Sequence, residues 1–168
     1  GLFNTSSKIS SQYNEGEMGM NVVGFNWELD QNVYTHTVGP LGGTPLVNGA
    51  SQTGTSLITD GWTAAAAARL KVGDVFTIAG VYAVNPVSKS STGVLQQFVV
   101  TSNVSSDASG NATIPIYPAI TASGASQTVS ASPADNAALT VLGAANTLTA
   151  QGMAWHKSAI ALAFAELQ

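Results

Sequence analysis

The sequence predicts a mainly β protein, an antiparallel barrel or sandwich. Three observations carry that prediction. Short apolar or alternating runs recur at roughly eight-to-twelve-residue spacing. Clusters of Gly, Pro, Asn and Asp stand between them and supply turn chemistry. The longest run, "VFTIAGVYAV" at 75–84, is followed by the polar "NPVSKSSTG" and by "VLQQFVVT", which together make a hairpin with a long polar tip.

In chain order, residues 1–20 read as a weak helix, with Phe3, Ile9 and Tyr13 able to share a face, broken by "NEGEMG". Residues 22–38 read as extended chain, with Val33, Thr35 and Thr37 alternating with Tyr34, His36 and Val38. Residues 39–56 hold five glycines and two prolines and read as a loop. "SLITDGWT" is a short strand ending in a turn at Asp60-Gly61. The alanines at 64–68 favour helix by propensity, yet so short a segment is marginal without packing. That stretch is a connector with at most one helical turn.

In the hairpin, strict alternation puts Phe76, Ile78, Tyr82 and Val84 on one face. Val75, Thr77, Ala79, Val81 and Ala83 take the other. Gly80 in the middle marks a bulge or bend. Asp107–Asn111 form a turn with Gly110 at positive φ. Ile114 and Ile116 line one side of the next strand, and Pro115 places that strand at an edge because it has no N–H to donate. "SQTVSASPADNAALTVLG" adds two short strands around a Pro-Ala-Asp-Asn turn. In the closing stretch, Ile160, Leu162 and Phe164 alternate with alanines, and strand and helix both remain open. No repeat of fixed period is found.

Composition narrows the function classes. Only 8% of the 168 residues are charged, against roughly a quarter in an ordinary soluble domain. The surface is therefore built from Ser, Thr, Asn, Gln, Gly and Ala, as in secreted, adhesive and shell-forming proteins. The net charge is -4, and the five basic residues (Lys8, Arg69, Lys71, Lys89, Lys157) are scattered. No basic stripe exists to hold phosphates, which argues against nucleic-acid binding by this segment. Cysteine is absent, so disulfides, thiolate metal sites and cysteine nucleophiles are excluded. There is no apolar run of about eighteen residues and no signal peptide. Residue 1 is Gly, and the chain stops at "AFAELQ" inside an apolar pattern, so it reads as an internal piece of a longer protein.

Candidate chemistry is sparse, and the residues assign no catalytic, cofactor-binding or metal site. "GDVFTIAG" lacks the Gly-Lys-Ser/Thr ending of a phosphate loop, so Gly73-Asp74 reads as the turn into a strand. His36 and His156 are far apart, without zinc spacing and without a Gly-x-Ser-x-Gly elbow. The simpler reading is a hydrogen-bonded histidine on a half-buried strand. Glu15 with Glu17, or Glu28 with Asp30, would share a face but read as solvated carboxylates. "DASGN" has too few oxygen ligands for calcium and reads as a turn. The N-x-S/T triplets at Asn4, Asn103 and Asn111 are what chance gives in a Ser/Thr-rich chain.

Six strings in order then carry a resemblance: "EGEMGMNVVGFNWELDQNVYTHTVG", "GTPLVNGASQTGTSLITDGW", "LKVGDVFTIAGVYAVNPVSKSSTGVLQQFVVT", "GNATIPIYPAI", "QTVSASPADNAALTVLG" and "MAWHKSAIALA". They resemble the coat protein family of tailed phages typified by phage P22, and the resemblance covers roughly residues 7 to 165. "TAAAAARL" stands apart as a loop specific to this relative. The resemblance implies an HK97-type capsid fold with an inserted β-barrel. It divides the chain into a flanking core segment at 1–38, the inserted barrel at 39–145 and a return segment at 146–168. A helix at 3–14 and a strand around His156 would belong to the core. It further implies self-assembly through hexamers and pentamers into an icosahedral shell, a scaffolding protein as partner, no enzyme activity, no cofactor, no membrane, and a place in the virion after assembly in the bacterial cytoplasm. Asp74, Lys71, Lys89 and Asp107 are then candidates for salt-sensitive contacts on loop tips.

Two other functions compete. A glycan-binding or adhesin-like β-domain would use Trp27, Trp62 and Trp155 to stack on sugar rings, although core packing is the commoner fate of Trp. A hydrolase with a non-local Ser/His/Asp site shows no readable geometry.

Overall fold

The computed structural model describes residues 31–152. Thr35–Gln151 forms one compact unit, and residues 1–34 and 152–168 belong to a second. The expected helix at 3–14 and the closing strand around His156 and Ile160 lie outside the described residues.

Among the described residues there are ten strands and no helix. Their ranges are β1 Thr35–Thr37, β2 Gly43–Val47, β3 Gly54–Trp62, β4 Ala67–Leu70 and β5 Val75–Val84. Then come β6 Ser91–Val100, β7 Val104–Ser106, β8 Ala112–Ile120, β9 Leu139–Val141 and β10 Leu148–Ala150. Six of them form one antiparallel sheet in the order β2-β3-β8-β6-β5-β9. The two ends of that sheet come together. A bridge joins Leu46 to Ala138, the Val47 amide donates to the Ala137 carbonyl at 2.9 Å, and the Asn136 amide donates to the Val47 carbonyl at 2.9 Å. The sheet is thus a nearly closed barrel. Closure removes most of the unpaired edge that an open sheet presents.

The barrel is filled by inward side chains of both halves, among them Leu57, Phe76, Ile78, Phe98, Ile114 and Ile120. Phe76 and Phe98 are direct partners across β5 and β6, with ring centroids 5.8 Å apart. Such pairs add to the burial of each ring. Two small antiparallel ribbons complete the unit, β4 with β7 and β1 with β10.

The β5–β6 hairpin, the Asp107–Asn111 turn and the apolar pair Ile114 and Ile116 match the reading of the sequence. Gly80 does interrupt β5, at φ 79°, inside a register shift between Thr77 and Tyr82. The bulge has a consequence that alternation missed. From Thr77 to Tyr82 β5 takes five steps while β6 takes two from Gln97 to Leu95, and an odd excess turns the side chains that follow over. Val81 is buried, and Tyr82 is exposed with the outer face.

Other expectations are corrected. Pro115 is not on an edge: β8 lies between β3 and β6. Proline is accommodated because the strand changes neighbours there. The continuous ladder to β3 runs from Ala112 to Pro115, and that to β6 uses Ile116 and Tyr117. Asp60-Gly61 is no turn but part of β3, which pairs with β2 up to Gly43 opposite Trp62. The stretch 39–56 is not all loop, since it contains β2. Backbone pairing tolerates Pro45 in a strand at the end of the sheet, within a register shift between Gly43 and Leu46. Ala64–Ala68 form no helical turn. They bend and enter β4, where pairing with Ser105 and Ser106 outweighs alanine's weak helical preference. Of the two strands expected around Pro133–Asn136, one is β9 and the other is a single bridge from Val129 to Ala83.

Candidate functional site

Polar residues are rare inside this unit: Thr59, Arg69, Asp74 and Ser106 are the buried ones among those described. Each marks a place where the fold commits a hydrogen-bonding group to the interior, and each is satisfied.

Asp74 sits at the turn that feeds β5. Its amide donates to the Lys71 carbonyl at 3.1 Å, and its Oδ2 accepts the Lys71 amide at 2.7 Å. The same carboxylate accepts the Gly39 amide, at 3.1 Å to Oδ2 and 3.3 Å to Oδ1. Its Oδ1 also meets His36 Nε2 at 2.7 Å. The Asp74 side chain is 0% exposed and that of His36 is 11% exposed. Gly39 is needed for this approach. A Cβ there would lie 2.4 Å from the Arg69 carbonyl oxygen and 2.9 Å from Asp74 Oδ2. Asp74 therefore fastens the β1–β10 ribbon, through His36 and Gly39, to the barrel. His36 is the half-buried, hydrogen-bonded strand histidine that the sequence suggested.

Arg69 is the second node. Its Nε donates to Ser106 Oγ at 2.8 Å, Nη1 to the Leu41 carbonyl at 3.0 Å, and Nη2 to the carbonyls of Thr63 at 2.7 Å and Ala65 at 3.3 Å. Ser106 Oγ in turn donates to the Ala65 carbonyl at 2.6 Å. No carboxylate touches this guanidinium among the described residues. Its charge is spread over neutral carbonyl dipoles, and the planar fork ties the loops at Leu41 and Thr63–Ala65 to β7.

Next to Asp74 lies an open cleft of about 210 Å³, lined by His36, Gly73, Leu142, Gly143 and Thr149 among others. It is small against typical ligand pockets of roughly 300–1,000 Å³. No serine hydroxyl bonds His36 among the described residues, whose side-chain bond goes to Asp74. No group of three His, Cys, Asp or Glu side chains gathers as a metal site among them.

The loop-tip candidates divide. Asp74 is buried, so it is no surface contact. Lys71 is half-buried, and Lys89 lies in the hairpin tip, its amide donating to the Asn85 carbonyl at 2.9 Å. Asp107 is exposed and accepts the amides of Ser109 and Asn111, both at 2.8 Å, and Asn111 Nδ2 at 2.9 Å. The Asn111 bonds, backbone first and then side chain, hold its carboxyl below the usual value. Asn103 Oδ1 accepts the Val72 amide at 3.0 Å. Trp62 is buried, its Nε1 donating to Thr59 Oγ1 at 2.9 Å, so it offers no face to a sugar. Trp27, Trp155, His156, Glu15, Glu17, Glu28, Asp30 and Asn4 lie outside the described residues.

Sequence reasoning missed one surface feature. Tyr117, Val99 and Val75 are register partners across β8, β6 and β5, and the Leu142 amide donates to the Val75 carbonyl at 2.8 Å. They form an outer apolar row, with Tyr117 68% and Leu142 52% exposed. The signal lay in the register, which no single strand reveals.

Among the described residues, no helix is long and apolar enough to cross a membrane. A search of curated proteins found no match. A family profile described as "P22 coat protein - gene protein 5" matches residues 3–167. That is nearly the whole sequence, and the chain belongs to the P22 coat protein family.

Proposed function

We propose that this chain is a segment of a phage major capsid protein, a structural subunit that self-assembles into an icosahedral shell. The family match over residues 3–167 carries the reading. In this reading residues 39–145 are a barrel inserted into an HK97-type core, and 1–38 and 146–168 are pieces of that core. The β1–β10 ribbon supports this. Thr35 pairs with Ala150, so the chain enters and leaves the unit at one place, which suits insertion into a host domain. The polar groups inside the unit are all engaged in holding the fold, as a structural role asks. Copies of the chain meet in hexamers and pentamers, guided by a scaffolding protein in the host cytoplasm. The neutral surface and the outer row through Tyr117 and Leu142 support contacts between copies. With Arg69 committed to the interior, few cations remain for DNA in this segment.

Electron microscopy of the full-length gene product, co-expressed with its neighbouring reading frames, tests the proposal. Uniform closed shells are expected. A soluble monomer without shells would refute it.

A further inference from the structure

We propose that Asn48-Gly49 is a site of spontaneous amide-to-acid conversion and that Asp135 restrains it. Asn48 and Gly49 are both exposed, just after β2 at the barrel seam. The Asn48 backbone is fixed: its amide donates to the Ile58 carbonyl at 3.0 Å, and its carbonyl accepts Gln52 Nε2 at 2.8 Å. Its side-chain amide makes no hydrogen bond among the described residues. A short side-chain amide of this kind turns readily onto neighbouring backbone, and Gly49 offers no side chain to block it.

The chemistry needs only water. The Gly49 nitrogen loses its proton to solvent and attacks Asn48 Cγ. The Cγ–Nδ2 bond breaks, and ammonia leaves carrying a proton. Water then opens the five-membered imide, giving aspartate at one carbonyl or iso-aspartate at the other.

Asp135 controls the first step. Its Oδ1 accepts the Gly49 amide at 2.8 Å, across 86 residues of sequence. A hydrogen bond to the neutral N–H holds the proton in place, and a nearby negative charge opposes a second one on the nitrogen. The same loop closes the barrel through Asn136 and Ala137 on Val47. The imide has no N–H at Gly49 and so lacks the bond to Asp135; opening restores the N–H, and either acid product sets a new carboxylate at residue 48, next to the Gly49 amide that Asp135 holds. The reaction and the seam therefore limit one another: a closed seam slows it, and conversion loosens the seam.

Peptide mapping by mass spectrometry of the 168-residue chain, aged in mildly alkaline buffer, tests this against a free peptide spanning Leu46–Gln52. The folded chain is expected to convert roughly tenfold more slowly, the effect of one charge-assisted hydrogen bond. Asp135→Ala regains most of that rate, and Asp135→Asn, which keeps an acceptor without the charge, falls between. A folded chain that converts as fast as the peptide overturns the proposal, as does a folded Asp135→Ala chain no faster than the parent. Hydrogen exchange on the unaltered protein gives a test independent of variants: the Gly49 amide is protected, and free exchange there overturns the proposal.

Discussion

Asp74 Oδ1 lies 2.7 Å from His36 Nε2, joining the start of β5 to a strand 38 residues earlier in the chain. The aspartate is enclosed and also holds the Gly39 and Lys71 amides. Asp74→Ala strips the partner from two amides and from His36 at once. Loss of about 3 kcal/mol follows for such a group. Asp74→Asn keeps an acceptor and costs less. Thermal unfolding of both variants checks the order, and equal melting temperatures would contradict it.

Arg69 is expected to be intolerant of lysine. An ammonium cannot reach Ser106, Leu41, Thr63 and Ala65 in one plane, as the fork does. Arg69→Lys should lose roughly 2 kcal/mol in a urea titration, because carbonyls around it go unpaired. An unchanged midpoint would show that the fork geometry is irrelevant.

Two glycines should respond differently to alanine. Gly80 has φ 79° but nothing within 4 Å of an added Cβ, so only backbone strain opposes it. That cost is roughly 1 kcal/mol. Gly39 faces backbone at 2.4 Å, and Gly39→Ala must displace the Arg69 carbonyl or the Asp74 carboxylate. Its loss should be several times larger in denaturant titrations, with the β1–β10 ribbon detaching first in hydrogen exchange.

Asp107 gives the pH prediction. Its folded carboxyl lies below the ordinary 3.8, chiefly through the backbone and side-chain bonds from Asn111. A depressed folded value means the ionised turn favours folding above the unfolded pKa. That contribution is lost as the pH falls through the folded value. Carboxyl NMR should show Asp107 titrating below 3.8, and Asn111→Ala, which keeps the backbone N–H and removes only the side-chain bond, should move it part of the way back up. No movement in that variant would remove the Asn111 side chain as a contributor and leave the backbone N–H alone.

Much of the fold is legible locally. The β5–β6 hairpin, the Gly80 bulge and the Gly110 turn are written in short windows, where alternation and glycine chemistry act over a few residues. What escaped depends on distant partners. β2 exists because β3 pairs with it, despite Pro45. Pro115 is central because its strand changes neighbours beside it. The Ala64–Ala68 run leads into a strand because β7 lies alongside. The polar nodes escaped for the same reason. Arg69 and Ser106 stand 37 residues apart, and neither announces burial on its own. His36 reads as a bonded strand histidine, but its partner Asp74 reads from the sequence as a surface turn residue.

The most direct test of the account is a reconstruction of shells formed by the full-length protein. A six-stranded barrel within residues 39–145 is expected, joined to a continuous shell floor through the paired strands Thr35–Thr37 and Leu148–Ala150. Shells whose floor is built from this barrel itself, or a protein that forms no shell, would contradict it.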